Sequence, residues 1–341
     1  MMTDKSIVVS NVSKVYVRRS SFSFGFFNRP DDRFVAIDDA SFVVEKGETV
    51  GLVGANGAGK STLLKMISGI HRPTSGRVSV LGFEPARRKP AYLRRIGVVF
   101  GHKSSLWWDL PARVSFDTYR DVYAVNKCVY EKNISELFCA LSLQAVLDRP
   151  VRNLSLGERV KCEIALALMH SPEILLLDEP TLGLDVASKF QIRDYLNYRS
   201  AEQGTTLILT SHDSLDIQAC CRRLVVLDRG RVGYDGPLSE FSRCSGMSVY
   251  CIGLRNRDVL VHNRLQELQE LLSRIDGCNY VRVEKDVVRL EVSYRARSFV
   301  EGYLLHKKIY YWSSVEKSLD DSFLNFIRSG RETYGEEEGG E

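Results

Sequence analysis

The sequence predicts an α/β fold built on central strands buried on both faces, followed by a smaller α+β unit. Three observations predict it. The apolar run Thr49-Val50-Gly51-Leu52-Val53 leads into the glycine-rich stretch Gly54-Ala55-Asn56-Gly57-Ala58-Gly59-Lys60-Ser61-Thr62. The run Ile174–Leu177 ends in Asp178-Glu179-Pro180. The run Thr206–Thr210 delivers Ser211-His212. Short, continuous apolar runs of this kind read as central strands.

The first motif is a phosphate cradle. Its glycines let the backbone curl so that successive N–H groups converge on an anion. A helix begins at about Lys60, because Leu63, Leu64, Met66 and Ile67 fall at helical spacing. Its N-terminus adds partial positive charge. The expected phosphate contacts are Gly54, Asn56, Gly57, Ala58, Gly59, Lys60, Ser61 and Thr62. Lys60 reaches the β- and γ-phosphates, and the Ser61 hydroxyl is a ligand for Mg²⁺.

The second motif supplies two carboxylates with different tasks. Asp178 is suited to hold Mg²⁺ through water, and Glu179 to orient and deprotonate an attacking water. Between the two motifs lies Asn153-Leu154-Ser155-Leu156-Gly157-Glu158-Arg159. Ser155 is a good N-cap, Gly157 allows close backbone approach, and Val160–Met169 is an apolar helix. This second helix N-terminus also suits phosphate. Since the first cradle already holds the nucleotide, it is expected to face a nucleotide on another copy of the domain. The turn Thr181-Leu182-Gly183-Leu184-Asp185 sits where it could communicate across such a dimer. His212, at the tip of a central strand, is expected to sense the γ-phosphate.

In this order the motifs resemble those of the ATP-binding subunits of ABC transporters, over about residues 6–243. Gly54–Thr62 matches Walker A, Ile174–Glu179 Walker B, Ser155–Glu158 the signature, Leu184-Asp185 the D-loop and Ser211-His212 the switch histidine. The resemblance implies a P-loop NTPase with a helical signature subdomain, and a head-to-tail homodimer with two ATP molecules sandwiched. Each ATP is gripped by Lys60, Ser61, Asp178, Glu179 and His212 of one subunit and Ser155 and Gly157 of the other, with Asp185 at the seam. Glu179, His212 and Lys60 are the implied catalytic residues. The family's adenine-stacking aromatic corresponds to Tyr16. Where the family has a Gln that touches Mg²⁺, at the end of Ile96–Gly101, this chain has His102. Its neutral imidazole accepts from a metal-bound water or ligates the ion. The metal set is therefore Ser61, Asp178 and His102, and the cofactors are ATP and Mg²⁺.

Composition narrows the class. The chain has 341 residues, 44% hydrophobic and 26% charged, with a net charge of +4. It is globular, long enough for roughly two domains, and lacks the basic stripe of a nucleic-acid binder. No apolar run approaches the ~18 residues that span a bilayer, and Met1–Lys5 begins no signal peptide. Soluble behaviour and a cytoplasmic location follow as expectations. None of the eight cysteines forms a C-x-x-C pair, so reduced and mostly buried thiols are expected.

Two stretches point to a partner. Leu106, Trp107, Trp108 and Leu110 sit in a loop where the two indoles either cover the local core or line a groove for a short helix of a membrane partner. Within the ABC family this Leu-Trp-Trp-Asp-Leu-Pro loop looks like an exporter subgroup that serves separate membrane proteins. The other stretch, Arg18–Pro30, mixes phenylalanine with arginine and suits either a membrane interface or a disordered loop.

Three segments result: 1–243, the ATP-binding domain; 247–330, an accessory domain; and 331–341, an acidic disordered tail. In the second, strands at Ser248–Leu254, Tyr280–Val283, Val287–Val292 and Ile309–Ser313 and helices at Val259–Ile275 and Arg295–His306 suggest a ferredoxin-like order. The expected function is the ATP-hydrolysing subunit of an exporter, peripheral at the cytoplasmic membrane face, with one or two membrane permease subunits as partners and no nucleic acid. The alternative is a soluble ABC-type ATPase acting on ribosomes or DNA. Such proteins usually join two ATPase domains or carry long coiled coils, and this chain has one such domain and no heptad run.

Overall fold

The computed structural model describes residues 5–18, 32–101, 103–245, 247–253, 278–284, 287–293, 297–306 and 312–316. His102, most of Arg18–Pro30, the helix expected at Val259–Ile275 and the acidic tail lie outside the described residues. The chain divides into two compact units, Met1–Pro237 and Leu238–Glu341.

The first unit holds two sheets. β1 (Lys5–Arg18) pairs antiparallel with β2 (Asp32–Glu45) on one side and β4 (Ser75–Val80) on the other. The six-stranded sheet runs in the order β5-β6-β7-β3-β8-β9. Its members are β3 (Thr49–Gly54), β5 (Ile96–Phe100), β6 (Ile174–Asp178), β7 (Thr206–Thr210), β8 (Arg223–Asp228) and β9 (Arg231–Pro237). All pairs are parallel except β8 with β9. Strands β8 and β9 form an antiparallel hairpin around Arg229-Gly230, and the glycine- and proline-containing stretch Gly233–Pro237 is its return strand. Cross-strand pairing to Arg223–Val226 overrides its turn-like composition.

Helix α1 (Lys60–Ile67) joins the two sheets. Its Leu63, Leu64, Met66 and Ile67 are at most 1% exposed and share one core with Val9, Val44, Leu52, Leu176 and Val225. Each such burial is worth about 1.5–3 kcal/mol. The strand-to-helix turn at the phosphate loop is therefore held from both ends by packing.

After the short α2 (Pro90–Leu93), three helices form a layer beside β5: α3 (Ala112–Tyr123), α4 (Lys127–Ala140) and α5 (Leu156–Leu168). Phe116 meets Phe138 edge to face, 5.1 Å between ring centres. Helices α6 (Val186–Gln203) and α7 (Ser214–Cys220) follow β6 and β7. Among the described cysteines, Cys162, Cys220 and Cys221 are buried and Cys128 and Cys139 exposed. Burial pushes the Cys162 and Cys220 thiols up to about 12.

The second unit begins with α8 (Leu238–Ser245) and contains a four-stranded antiparallel sheet in the order β11-β12-β10-β13. These are β10 (Met247–Gly253), β11 (Cys278–Glu284), β12 (Val287–Ser293) and β13 (Trp312–Glu316), with α9 (Arg297–His306) before the last. Of the last strand, expected at Ile309–Ser313, the described part is Trp312–Glu316; residues 309–311 lie outside the described residues. Ser313 and Ser314 pair with Cys251 and Tyr250, so two polar residues that read as a strand end belong to its interior.

His170, just past α5, stacks on Tyr123 with centroids 4.0 Å apart. Its Nε2 lies 3.0 Å from the Ile96 carbonyl oxygen, so that nitrogen donates. Its Nδ1 is buried without a partner. Burial, against the bond to Ile96, lowers the imidazole from 6.5 to about 4. Between those values the unfolded chain binds the extra proton. This stability is complete above about pH 6.5 and is lost as the pH falls towards 4. Unfolding free energies measured across that window should decline more gently in His170→Phe, which keeps the stack; parallel curves would contradict this.

Candidate functional site: a phosphate loop facing two strand ends

The C-terminal ends of β3, β6 and β7 lie side by side, where open parallel sheets place ligands. The loop after β3 curls through glycines. Gly59 has φ +105°, and a Cβ there would lie 2.5 Å from the Ala36 carbonyl oxygen, so no other residue fits without movement. Asn56 and Gly57 are exposed, while the Ala58 methyl is buried and its N–H donates to the Ala55 oxygen at 3.1 Å. Lys60 folds back across the loop and donates to the carbonyls of Gly54 at 2.8 Å and Ala55 at 3.0 Å. Burial lowers the Lys60 pKa, opposed by the charges of Glu179 and Asp178. The ammonium is thus poised over the loop with two carboxylates as its nearest counter-charges. Thr62 follows Ser61 in the first turn of α1.

Thr210 ties the Asp178 carboxylate to the backbone of Glu179. Register places it opposite Asp178. Its hydroxyl, fully buried, donates to Asp178 Oδ1 at 2.7 Å and accepts from the Glu179 N–H at 3.0 Å. Ser61 Oγ donates to the same Asp178 oxygen at 3.2 Å. Hard oxygen donors from α1 and β6 therefore meet, a set that suits Mg²⁺. Glu179 has φ +52°, the left-handed region that non-glycine residues rarely hold. Its carboxylate is 2.9 Å from His212 Nε2. The residues expected to activate water and to sense phosphate are thus partners.

The signature residues are built around a helix start. Ser155 caps α5: its Oγ accepts from the Glu158 N–H at 3.2 Å, and Glu158 Oε2 accepts from the Ser155 N–H at 2.7 Å. That backbone bond holds the Glu158 carboxyl below its usual range. Gly157 packs against the start of α6, where a Cβ would be 2.5 Å from Ser188 Oγ and 3.4 Å from Asp185 Oδ2. Asp185 caps α6, accepting from the Ser188 N–H at 2.9 Å and its hydroxyl at 2.8 Å. Asp185 and Gly157 of one chain are therefore neighbours.

Tyr16 lies on β1 opposite Phe34. His71 meets its ring edge at 5.9 Å, and Lys14 Nζ lies 5.2 Å from its centre.

The tryptophan loop divides. Leu106, expected on the docking surface, is buried at 5% exposure, whereas Trp107, Trp108 and Leu110 are exposed. The loop is tied to α5 by Glu163, which sequence reading missed. This largely buried carboxylate accepts from Ser104 Oγ and from the Ser105 N–H at 3.1 Å. Burial raises the Glu163 pKa, against those bonds. Arg159, also on α5, lies 5.4 Å from the Trp108 ring centre. Beside the loop is a cavity of about 370 Å³ lined by Val98, Ser105, Tyr119, Tyr123 and Glu163, among others. Glu163→Ala would strand those donors, at about 1–3 kcal/mol. Denaturant unfolding should show that loss together with a shift in tryptophan emission; an unchanged midpoint and spectrum would contradict it.

The ABC transporter family (ABC_tran) matches residues 37–182. The ABC transporter ATP-binding protein NatA of Bacillus subtilis is 36% identical over 205 residues, 60% of this chain and 83% of that protein. The methionine import ATP-binding protein MetN 3 of Bacillus cereus is 30% identical over 241 residues, 70% of this chain and 67% of its own. A bacterial ABC transporter cassette solved as a dimer superposes with a TM-score of 0.59 at 25% identity, over 68% of this chain and 98% of its own. With the site and a relative this similar over most of its length, the chain belongs to the ABC transporter ATP-binding proteins.

Proposed function

We propose that two copies of this chain close head to tail on two ATP molecules and so power export through one or two separate membrane permease subunits. As a member of its family the chain is an ATPase and an ATP-binding subunit of a transporter. The head-to-tail closure and the export direction are the further steps. The relatives include a methionine importer, and the export reading rests on the exposed Trp107-Trp108-Leu110 loop and its resemblance to exporter subunits.

The observation that carries the reading is the convergence of Lys60, Ser61, Asp178, Glu179 and His212, with Thr210 holding the Asp178 carboxylate and the Glu179 backbone N–H. Lys60 leaves the loop carbonyls for the β- and γ-phosphates, which the amides of Gly54–Thr62 enclose. Ser61 and Asp178 would hold Mg²⁺, which supplies charge neutralisation of the phosphates. Glu179, oriented by His212, takes a proton from the water that attacks the γ-phosphorus. Tyr16 stacks on adenine. Ser155 and Gly157 at the start of α5, with Asp185 beside them, close over the nucleotide of the partner copy. Hydrolysis then places separated charge inside the closed site and reopens it.

The tryptophan loop and its adjoining cavity receive the permease at the cytoplasmic membrane face. Among the described residues no helix is long and apolar enough to cross a membrane. The second unit is read as a ferredoxin-like accessory domain, which its sheet order supports.

Glu179→Gln keeps the shape of the side chain and removes the base. It should still bind ATP, lose turnover by about 10²–10⁴-fold, and migrate with ATP as a stable dimer by light scattering. A monomer under those conditions contradicts the clamp.

A further inference from the structure

We infer that Asp216 is a positioning residue for hydrolysis: one buried carboxylate that holds the Glu179 and His212 segments in register. The inference rests on the reading of Glu179 as the base and adds the part that aims it. Asp216 lies in α7, outside every motif of the site, and is 1% exposed. A carboxylate that deep is retained only when its lone pairs are filled. Here the donors come from three different elements. Thr181 Oγ1, two residues after Glu179, donates to Oδ2. Ser211 Oγ, one residue before His212, donates to the same oxygen at 2.7 Å. Arg193 of α6 donates through Nε to Oδ1 at 2.5 Å.

Capping of α7 does not account for this. Asp213 does that work, accepting from the Leu215 N–H at 2.9 Å. Asp213 is also neutralised separately, with Lys189 Nζ at 2.6 Å and Arg193 Nη2 at 3.3 Å. Its N–H donates to Ser211 Oγ at 3.0 Å, which orients the Ser211 hydroxyl proton towards Asp216. Asp216 therefore pins the chain just beyond Glu179 and just before His212. Thr210 pins Glu179 from the other side through its N–H. The left-handed backbone of Glu179 is thereby fixed on both flanks, and the 2.9 Å contact with His212 is a consequence. Through Arg193 the same carboxylate reaches α6, whose cap Asp185 abuts Gly157. A catalytic geometry set this way affects the transition state more than ground-state binding of nucleotide.

The test is steady-state ATPase of the full chain, with mant-ATP binding and thermal melting measured alongside. In Asp216→Asn, kcat should fall about tenfold or more while KM and the mant-ATP Kd move less than about twofold. Thr181→Val and Ser211→Ala each remove one donor and leave Arg193 paired, so they stay folded if Asp216→Asn does not. Each should lower kcat by a smaller factor at constant Kd. In a His212→Ala background, Asp216→Asn should add less than about twofold, because both act on one element. An unchanged kcat in all three variants, a Kd that weakens in step with kcat, or full additivity with His212→Ala overturns the inference. A wild-type chain without turnover would overturn the reading of Glu179 and this inference with it. Turnover that is normal in the wild type and in the variants overturns this inference alone.

Discussion

The Thr210 hydroxyl is the joint on which the site depends. It stands opposite Asp178 because β6 and β7 are parallel and in register, and it has one proton to give and lone pairs to receive. The proton goes to Asp178 and a lone pair takes the Glu179 N–H. One small polar side chain, buried where an apolar one would pack as well, therefore ties the Asp178 carboxylate to the backbone of Glu179. Burial keeps water from competing for those bonds, which makes them geometrically strict. The loop glycines perform the complementary task on the other side, bringing backbone and Lys60 to within reach of the same spot.

Helix α5 links the other two proposed surfaces. Its N-cap is Ser155 and its first turn carries Gly157, and its third carries Glu163, which holds the tryptophan loop. A rigid helix of 13 residues transmits a displacement at one end to the other. The proposed docking surface and the proposed trans-phosphate contact are thus parts of one body. The Gly157–Ser188 approach joins that body to α6, and Arg193 joins α6 to Asp216. Opening and closing of a clamp could pass between nucleotide and partner along these contacts alone.

Much of this was legible in the sequence, for physical reasons that differ by residue. Gly59 needs a positive φ, and Lys60-Ser61 after it leaves few other uses for such a turn. Asp178-Glu179 after four apolar residues is an expensive place for charge unless it is used. Ser155 with Glu158 three residues later spells a reciprocal cap. The rest depends on what the fold brings together. Thr210, Thr181 and Ser211 look like ordinary strand-end hydroxyls until β6 and β7 are adjacent. Asp216 and Glu163 belong to no motif, and only tertiary packing shows them to be buried and paired. Leu106 beside two tryptophans carries no signal that it alone turns inward. Ser313 ends the strand expected from sequence, yet ladder pairing with β10 carries it on through Ser314 to Glu316.

In the proposed clamp one chain is half of a hydrolytic site, with its phosphate loop and its signature helix serving different nucleotides. Its most direct test is ATPase rate per chain measured across protein concentration under saturating ATP and Mg²⁺. The rate should rise with concentration towards a plateau, in step with the fraction of dimer measured in parallel. A rate per chain that is already maximal at dilutions where the protein is entirely monomeric would contradict it.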